Sequence, residues 1–273
     1  MTSTTTAATQ FATSADGTSI AYEVTGEGPA LVLADGALCS RAMGPSRGLT
    51  SALAQQFRVF SYDRRHRGES GPGASPYSTE REVEDLAAVI DAAGGIAHIF
   101  GASSGAVLAL EAARVGVPMD RLALYEAPFI VDDTHPGNDP QLAARLETLV
   151  SEGRRGEAVK TFLRTVGAPA PVVAMMRILP VWKKLTDVAH TLPYDVALVA
   201  EHRQGRPLPE GYYDAVTPET LVLAGAKSPE YMRNAQAAIA ETVPTARLEV
   251  LPKQTHMIKA KVVAPVLVDF LTA

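Results

Sequence analysis

The chain has 273 residues, of which 47% are hydrophobic and 20% are charged, and its formal net charge is −5. These values are typical of a globular protein with one substantial core, and the negative charge gives no reason to expect nucleic acid or an anionic membrane as a partner. The single cysteine, Cys39, excludes an internal disulfide framework and favours a reducing compartment, so we expect a cytoplasmic protein.

The amino terminus lacks the features of a secretory signal. Residues 1–9 are rich in threonine, without a basic or an apolar region, and are predicted to form a disordered lead-in. No apolar run elsewhere reaches the roughly 18 residues that a membrane-spanning helix needs. We therefore expect no membrane partner.

From residue 10 onwards, short apolar strand patterns alternate with amphipathic helix patterns. Asp16 and Gly17 form a hairpin signal between two strands, and the apolar run in "PALVLADG" predicts a buried strand. Five more strands are predicted in "FRVFSYD", "IAHIFG", "RLALYE", "ETLVLAG" and "ARLEVLP", each followed by a helical pattern except where the alternation breaks. This order predicts an α/β fold with an eight-stranded, mostly parallel sheet, an N-terminal antiparallel hairpin and helices on both faces.

The alternation stops between residues 127 and 218, where no convincing strand occurs. Three stretches there have helical spacing: "QLAARLETLVSEG", "GEAVKTFLRTV" and "VVAMMRILPVWKKLTDVAHTL". A structureless loop of this length is improbable, so we predict a helical cap inserted into a core of residues 10–126 and 219–273. Met175 and Trp182 are candidates for a substrate pocket under the cap, although most apolar cap residues are expected only to pack.

Gly101 to Gly105, "GASSG", match the pattern G-x-S-x-G between a predicted strand and a predicted helix. A sharp strand-to-helix turn of this kind strains the central serine and exposes its hydroxyl above the sheet, and its neighbours must be small. We predict Ser103 as a nucleophile and the backbone N–H of Ser104 as a donor to an oxyanion at the helix N-terminus.

A serine nucleophile needs a general base, and six histidines are available. His256 follows the last predicted strand in a polar loop and is the predicted base. His98 lies inside a strand and is expected to be a core residue with a satisfied hydrogen bond, whereas His66, near four arginines, has either a ligand-binding or a structural role. Surface positions are expected for the three histidines in the predicted cap: His135, His190 and His202.

Four motifs in this order resemble those of the α/β-hydrolase superfamily, in particular its capped bacterial branch with haloperoxidase-type esterases: "LVLADGALCS", "SYDRRHRGES", "GASSGA" and "LPKQTHM". The resemblance covers nearly the whole chain, from about residue 10 to the final helix. It implies the α/β-hydrolase fold, a serine hydrolase activity without metal or cofactor, and the backbone N–H of Ala37 as the second oxyanion donor.

Two departures from the family pattern lie in the loops after the third and fourth strands. Asp35 replaces the usual histidine before Gly36, and we expect it to cap its loop through backbone hydrogen bonds, although Asp35 and Leu38 are also candidates for the pocket wall. His66 replaces a glycine of the arginine-rich loop. Asp63 and Arg64 are expected to hold that loop in shape rather than to take part in catalysis.

The third departure concerns the acid of the triad. The family's usual aspartate position is occupied by Ser228, and serine cannot stabilise an imidazolium. We predict that Glu126, at the end of "RLALYE" beside the nucleophile strand, supplies the carboxylate, as the acid of some haloalkane dehalogenases does from this place. The alternatives are that the triad is broken or that its acid comes from elsewhere, with Glu126 only a strand-end residue that binds a loop. Three further acids are assigned elsewhere: Asp132 and Asp133 to the start of the cap, and Glu230 to a first helical turn.

The sequence therefore predicts a serine hydrolase that acts on a small or medium ester, lactone or thioester, with a small-molecule substrate as its partner and a monomer or homodimer as its state. A non-hydrolytic enzyme on the same fold (a cyclase, a lyase or an acyl-transfer enzyme) is the first alternative, because Asp35 and Ser228 depart from the pattern. A ligand-binding receptor is the second, and the retained serine, histidine and glutamate argue against it. Fold alone does not select among these chemistries.

Overall fold

The computed structural model describes residues 8–73, 76–137 and 139–273. Most of the predicted disordered lead-in, residues 1–7, lies outside the described residues. Residues 8 and 9 precede the first strand without regular structure, and the Thr9 hydroxyl donates a hydrogen bond to Glu69.

Eight strands form one sheet, as predicted. They are β1 (Gln10–Thr13), β2 (Ser19–Thr25), β3 (Ala30–Ala34), β4 (Arg58–Tyr62), β5 (His98–Ala102), β6 (Arg121–Tyr125), β7 (Glu219–Gly225) and β8 (Ala246–Leu251). Their order in the sheet is β1-β2-β4-β3-β5-β6-β7-β8. β1 pairs with β2 and β2 with β4 in antiparallel fashion, and the remaining neighbours are parallel. This confirms the predicted sheet with its antiparallel hairpin.

Ten helices accompany the sheet in the described part of the chain. They are α1 (Ser46–Leu53), α2 (Thr79–Ala92), α3 (Ser104–Arg114), α4 (Leu142–Ser151), α5 (Arg155–Thr165), α6 (Ala170–Met176), α7 (Val181–Asp187), α8 (Leu192–Val199), α9 (Glu230–Thr242) and α10 (Ala260–Leu271). Two 3₁₀ turns, Ala189–Thr191 and Ala200–His202, flank α8. None of the helices in the described ranges is long and apolar enough to cross a membrane.

The sheet buries both of its faces, because alternate residues of each strand point to opposite sides. Val32 and Leu124 pack with residues of α2, α3 and α9 in one apolar cluster. Leu33 and Tyr125 pack with residues of α1 and α10 in a second cluster on the other face. The helices on both faces explain why the parallel strands read as nearly continuous apolar runs.

Helices α4 to α8 occupy the long insertion between β6 and β7. They form most of a third apolar cluster, which also includes Leu38 and Met43 from the loop after β3. The stretch read as one helical pattern over residues 172–192 is interrupted, since α6 ends at Met176 and α7 begins only at Val181, directly after Pro180. Proline lacks the N–H and the space that a continuous helix needs. A cap with boundaries at residues 127 and 218 stays a prediction.

Candidate active site

Backbone strain marks one edge of the sheet. In the described part of the chain, five residues other than glycine have a positive φ angle: Leu38, His66, Ser103, Glu126 and Lys253. Each lies in a loop that follows the carboxyl end of a strand, after β3, β4, β5, β6 and β8 respectively. Strained residues concentrate at functional sites, and open α/β sheets bind ligands at the carboxyl ends of their strands. This edge is therefore the candidate active site.

Ser103 forms the sharp turn between β5 and α3, with φ 55° and ψ −124°. A Cβ atom on Gly101 would lie 2.5 Å from the carbonyl oxygen of Gly105, and one on Gly105 would lie 2.1 Å from that of Ala34. Both positions therefore require glycine. The backbone N–H of Ser103 donates to the carbonyl of Tyr125 at 2.9 Å, which ties the turn to the end of β6. The side chain of Ser103 remains partly exposed at the start of α3.

Glu126 and His256, 130 residues apart in the chain, meet at this edge. Glu126 is fully buried, and its Oε2 atom lies 2.8 Å from Nδ1 of His256. Its other oxygen, Oε1, accepts hydrogen bonds from the backbone N–H of Gly225 at 2.7 Å and from the Ser228 hydroxyl at 2.5 Å. These two donors fix the carboxylate and leave Oε2 for the imidazole. The serine at the usual aspartate position thus holds the glutamate in place.

The loop that carries His256 is fastened from two sides. The Tyr125 hydroxyl donates to the carbonyl of Thr255 at 2.6 Å, and the backbone N–H of Lys227 donates to that of Gln254 at 2.9 Å. In the described part of the chain, the His256 ring bonds only to Glu126. Its Nε2 atom has no hydrogen-bond partner among the described residues and is therefore available to a donor.

The loop after β3 passes directly beside the serine. A Cβ atom on Gly36 would lie 2.8 Å from Cβ of Ser103 and 3.4 Å from its Oγ atom. Ala37 follows in this loop, and Ser104 is the first residue of α3. Among the backbone hydrogen bonds between described residues, none has the N–H of Ala37 or of Ser104 as its donor. Both groups are thus free to bind an oxyanion.

The sequence profile of the alpha/beta hydrolase family matches residues 35–260, which span every loop of this site. The chain belongs to the α/β-hydrolase family. The protein is accordingly an enzyme with hydrolase activity, which agrees with the resemblance of its motifs.

Solved structures support the same assignment. An alpha/beta hydrolase from Sphaerobacter thermophilus is 45% identical in sequence to this chain. The alignment covers 96% of this chain and 100% of the Sphaerobacter chain, with a TM-score of 0.88. An enol-lactonase from Burkholderia xenovorans (23% identity, 97% and 100% coverage, TM-score 0.72) and an esterase from Thermogutta terrifontis (23%, 97% and 98%, TM-score 0.67) share the fold. No curated protein sequence matches the chain.

The four candidate pocket residues of this hydrolase do not form one group. Leu38 and Trp182 belong to the same apolar cluster under the insertion helices. Met175 lies on α6 with 55% of its surface exposed and is not a member of that cluster. Asp35 is buried against Gly44, at the turn before α1.

Hydrogen bonding by the backbone and the side chain of Ser46, at the start of α1, lowers the pKa of the Asp35 carboxyl. The expected capping role of Asp35 stays a prediction. The burial of Asp35 raises its pKa from 3.8 to about 6, because desolvation outweighs these hydrogen bonds and the attraction of Arg67 and Arg64.

We expect Asp35→Asn to stabilise the hydrolase at neutral pH. Because the folded protein raises the pKa of Asp35, this residue favours folding most below pH 4, and that contribution is lost as the pH rises through about 6. Asparagine stays neutral, so its stability advantage over the wild type grows by up to about 3 kcal/mol between pH 4 and pH 7. Urea unfolding of both proteins across this pH range measures the change. A stability difference that is independent of pH would contradict the expectation.

Beneath the site lies a cluster of buried charges that sequence analysis did not foresee. Arg64 forms two hydrogen bonds of 2.6 Å with Glu82 on α2 and one of 2.9 Å with Asp195 on α8. Arg67 donates twice to Asp195, at 2.8 Å each. Burial would raise the pKa of Asp195, but Arg67 and Arg64 hold the pKa of this carboxylate below its usual value. The cluster is therefore ionised, paired and fixed.

The arginine-rich loop is also tied from its outer side. The Asp63 carboxylate accepts hydrogen bonds from the backbone N–H and the guanidinium of Arg41 and from the backbone N–H of Glu69. Asp63 and Arg64 thus hold this loop in shape, as expected. The N–H of His66 donates to the carbonyl of Gly71, and its own carbonyl oxygen lies 2.7 Å from Nε2 of His190, so the backbone of His66 is a structural part of the loop. The role of its side chain stays a prediction.

The expected surface position of His202 is wrong. His202 is buried, and its Nε2 atom lies 3.1 Å from the Tyr213 hydroxyl, in a region where aromatic rings surround it. His190 and His135 are half-buried. His98 is buried as expected, but its Nδ1 atom has no hydrogen-bond partner among the described residues. The hydropathy of a histidine and its neighbours in sequence does not reveal whether the helices of the insertion bury its side chain.

Two clefts of the surface lie away from Ser103 and His256. One is lined by residues of α5 and by Arg177, and the other by the turns at residues 16–19 and 71–73. Neither is lined by any of the five strained residues of the candidate site. No group of three or more His, Cys, Asp or Glu residues is placed to bind a metal ion within the described ranges.

Proposed function

We propose that the protein is a serine hydrolase that cleaves a small or medium ester, lactone or thioester through an acyl-enzyme on Ser103. The observation that carries this proposal is the 2.8 Å contact between Oε2 of the buried Glu126 and Nδ1 of His256, at the strand end where the carbonyl of Tyr125 accepts the N–H of the strained Ser103. A receptor or a structural protein does not need a buried carboxylate that two donors hold in place and that bonds to a histidine ring.

Each residue then has one task. His256 takes the Ser103 proton at Nε2 as Oγ attacks the acyl carbon, and it returns that proton to the leaving group. Glu126 accepts the hydrogen bond from Nδ1, selects the tautomer with a free Nε2 and stabilises the imidazolium. Water then attacks the acyl carbon as His256 takes its proton, the bond between Oγ and the acyl carbon breaks, and His256 returns the proton to Ser103 as the acid product leaves. The carboxylate itself does not turn during the reaction, since its other oxygen is fixed by Gly225 and Ser228.

The N–H groups of Ala37 and Ser104 bind the oxyanion of the tetrahedral intermediate. Their segments lie on both sides of the serine, because the loop of Gly36 approaches it from β3 and α3 begins directly after it. Donors aimed at the charge that develops in the transition state stabilise it more than they stabilise the substrate.

The substrate class follows from the site chemistry and is supported by the relatives. Esterases and an enol-lactonase are among the structures with this fold, at identities too low to show more than the fold. A non-hydrolytic reaction on the same fold is the second candidate, favoured by the unusual Asp35 beside the oxyanion loop. A cytoplasmic location and a monomeric or homodimeric state remain predictions.

Stopped-flow hydrolysis of short-chain p-nitrophenyl esters tests the proposal. Because p-nitrophenolate is a good leaving group, acylation is expected to be faster than deacylation, and an acyl-enzyme mechanism then predicts a burst of p-nitrophenol that approaches the concentration of active sites, followed by slower steady-state turnover. A panel of lactones and thioesters then defines the substrate class. Absence of turnover on the whole panel by the folded protein would contradict hydrolysis and favour the non-hydrolytic alternative.

Ser228→Ala tests the role of the serine at the usual acid position. We expect kcat to fall about tenfold, because Oε1 of Glu126 keeps only the Gly225 N–H and the carboxylate loses part of its orientation. Ser61→Ala is the matched control: Ser61 is also buried and also makes one side-chain hydrogen bond, with Thr50, but it lies outside the site. Equal kcat values for the two variants would exclude the positioning role.

A further inference from the structure

We propose that Asp195, through Arg67 and Ser104, is a positioning residue for both donors of the oxyanion hole. This inference rests on the proposed function, because it assigns a task only if an oxyanion forms beside Ser103. Asp195 lies on α8, in the insertion between β6 and β7, and only 2% of its surface is exposed. It does not belong to the triad, and its ion pairs with Arg64 and Arg67 span more than 120 residues of sequence.

The first connection reaches the donor on α3. The Ser104 hydroxyl donates to Oδ1 of Asp195 at 2.7 Å and accepts from Nη1 of Arg64 at 3.1 Å. Ser104 is 3% exposed, so no water competes strongly for these bonds. Its side chain thereby anchors the first residue of α3 to the charge cluster. The backbone N–H of the same residue is the proposed oxyanion donor.

The second connection reaches the donor after β3. Arg67 uses Nη2 to bind both oxygens of Asp195 and Nη1 to donate to the carbonyl oxygen of Gly36 at 2.6 Å. That carbonyl and the N–H of Ala37 belong to the same peptide group. A trans peptide is planar, with its C=O and N–H pointing in opposite directions. The guanidinium therefore fixes the direction of the Ala37 N–H and polarises it towards stronger donation.

Asp195 is the common element of both connections. Arg64 has Glu82 as a second anionic partner, whereas the side-chain partner of Arg67 in the cluster is Asp195. Without this carboxylate, Arg67 keeps the bonds from Nη1 to the backbone carbonyls of Gly36 and Cys39 but loses both bonds from Nη2, which hold the other side of the guanidinium. The two N–H groups would then be held less firmly at the spacing that one oxygen atom requires.

The test compares Asp195→Asn with Asp85→Asn. Asp85 is an equally buried aspartate that makes a bidentate ion pair with Arg65 of the same loop, but it contacts neither Gly36 nor Ser104. Phosphonate titration of active sites corrects for any unfolded fraction. For each protein we measure kcat per titrated site, KM, and the inhibition constant of a trifluoromethyl ketone, whose hemiketal oxygen occupies the oxyanion hole.

We expect Asp195→Asn to lower kcat per site about 10- to 100-fold and to weaken the ketone by a similar factor, with KM changed less than about twofold. Asp85→Asn is expected to keep all three values within about twofold of the wild type. A merely structural role would lower the number of active sites without moving the ketone affinity of those that remain.

Ser104→Ala keeps every charge of the cluster and decides the matter if Asp195→Asn does not fold. We expect a three- to tenfold fall in kcat per site, about the effect of releasing one of the two donors. Unchanged kcat and ketone affinity in Asp195→Asn, or in Ser104→Ala if only that variant folds, would overturn the proposal, as would equal losses in Asp85→Asn. A wild type that is not titrated by phosphonate would overturn the hydrolase mechanism itself, and the positioning role with it.

Discussion

Ser103→Ala is expected to lower kcat by about 10⁴-fold or more, while KM for a short-chain ester stays close to that of the wild type. Alanine removes the only atom of the site that forms a bond to the acyl carbon. The strained turn itself persists, because Gly101 and Gly105 determine its close packing. Residual hydrolysis would come from the oxyanion donors and from binding alone.

Steady-state kinetics on the ester that gives the burst, together with thermal unfolding, measures this effect. The burst is expected to vanish. The melting temperature is expected to change little, since alanine is as strained as serine at φ 55° and the Ser103 hydroxyl makes no hydrogen bond to the other described residues. Turnover that persists above about 1% of the wild-type rate, far above the residual rate of a triad without its nucleophile, would contradict an acyl-enzyme on this serine.

Glu126→Gln is expected to lower kcat by about 10³- to 10⁴-fold with a small change in KM. Glutamine preserves the size of the side chain, and its amide oxygen can still accept the bonds from Gly225 and Ser228. Its amide nitrogen then faces Nδ1 of His256, favours the wrong tautomer and offers no charge to the imidazolium. The loss is therefore chemical rather than structural.

Glu111→Gln is the matched control for this variant. Glu111 is also a buried glutamate, bonded to Tyr213 and Arg114, and it lies outside the site. We expect it to keep its kcat within about twofold of the wild type. If Glu126→Gln kept normal turnover while Asp132→Asn or Asp133→Asn lost it, the acid of the triad would come from the start of the insertion instead.

The sheet and the family could be predicted from the sequence because both depend on local patterns. Apolar runs such as "LALY" and "LVLA" coincide with β6 and β7, and the turn at Gly101 to Gly105 carries its glycines where backbone atoms approach most closely. Elements bounded by proline were less well predicted: the pattern around Pro180 has helical spacing, yet the chain breaks there into two helices.

Long-range ion pairs could not be predicted. The cluster of arginines at residues 64–67 indicates that buried anions must exist, since an unpaired buried guanidinium is costly. Periodicity does not reveal which of the 30 acidic residues supplies them, and Asp195 stands in an otherwise apolar helix. The hydrogen bond from Ser228 to Glu126 could not be predicted for the same reason, because it joins two loops that only the order of strands in the sheet brings together.

The central claim is that Ser103, His256 and Glu126 act as one unit, and a fluorophosphonate probe tests it most directly. Mass spectrometry of the digested protein identifies the modified residue, and the labelling rate of the wild type is compared with those of Glu126→Gln and Glu111→Gln. The account predicts an adduct on Ser103, formed at least about 100-fold more slowly in Glu126→Gln and at the wild-type rate in Glu111→Gln. No adduct on Ser103, or an equal rate in the Glu126 variant, would contradict it.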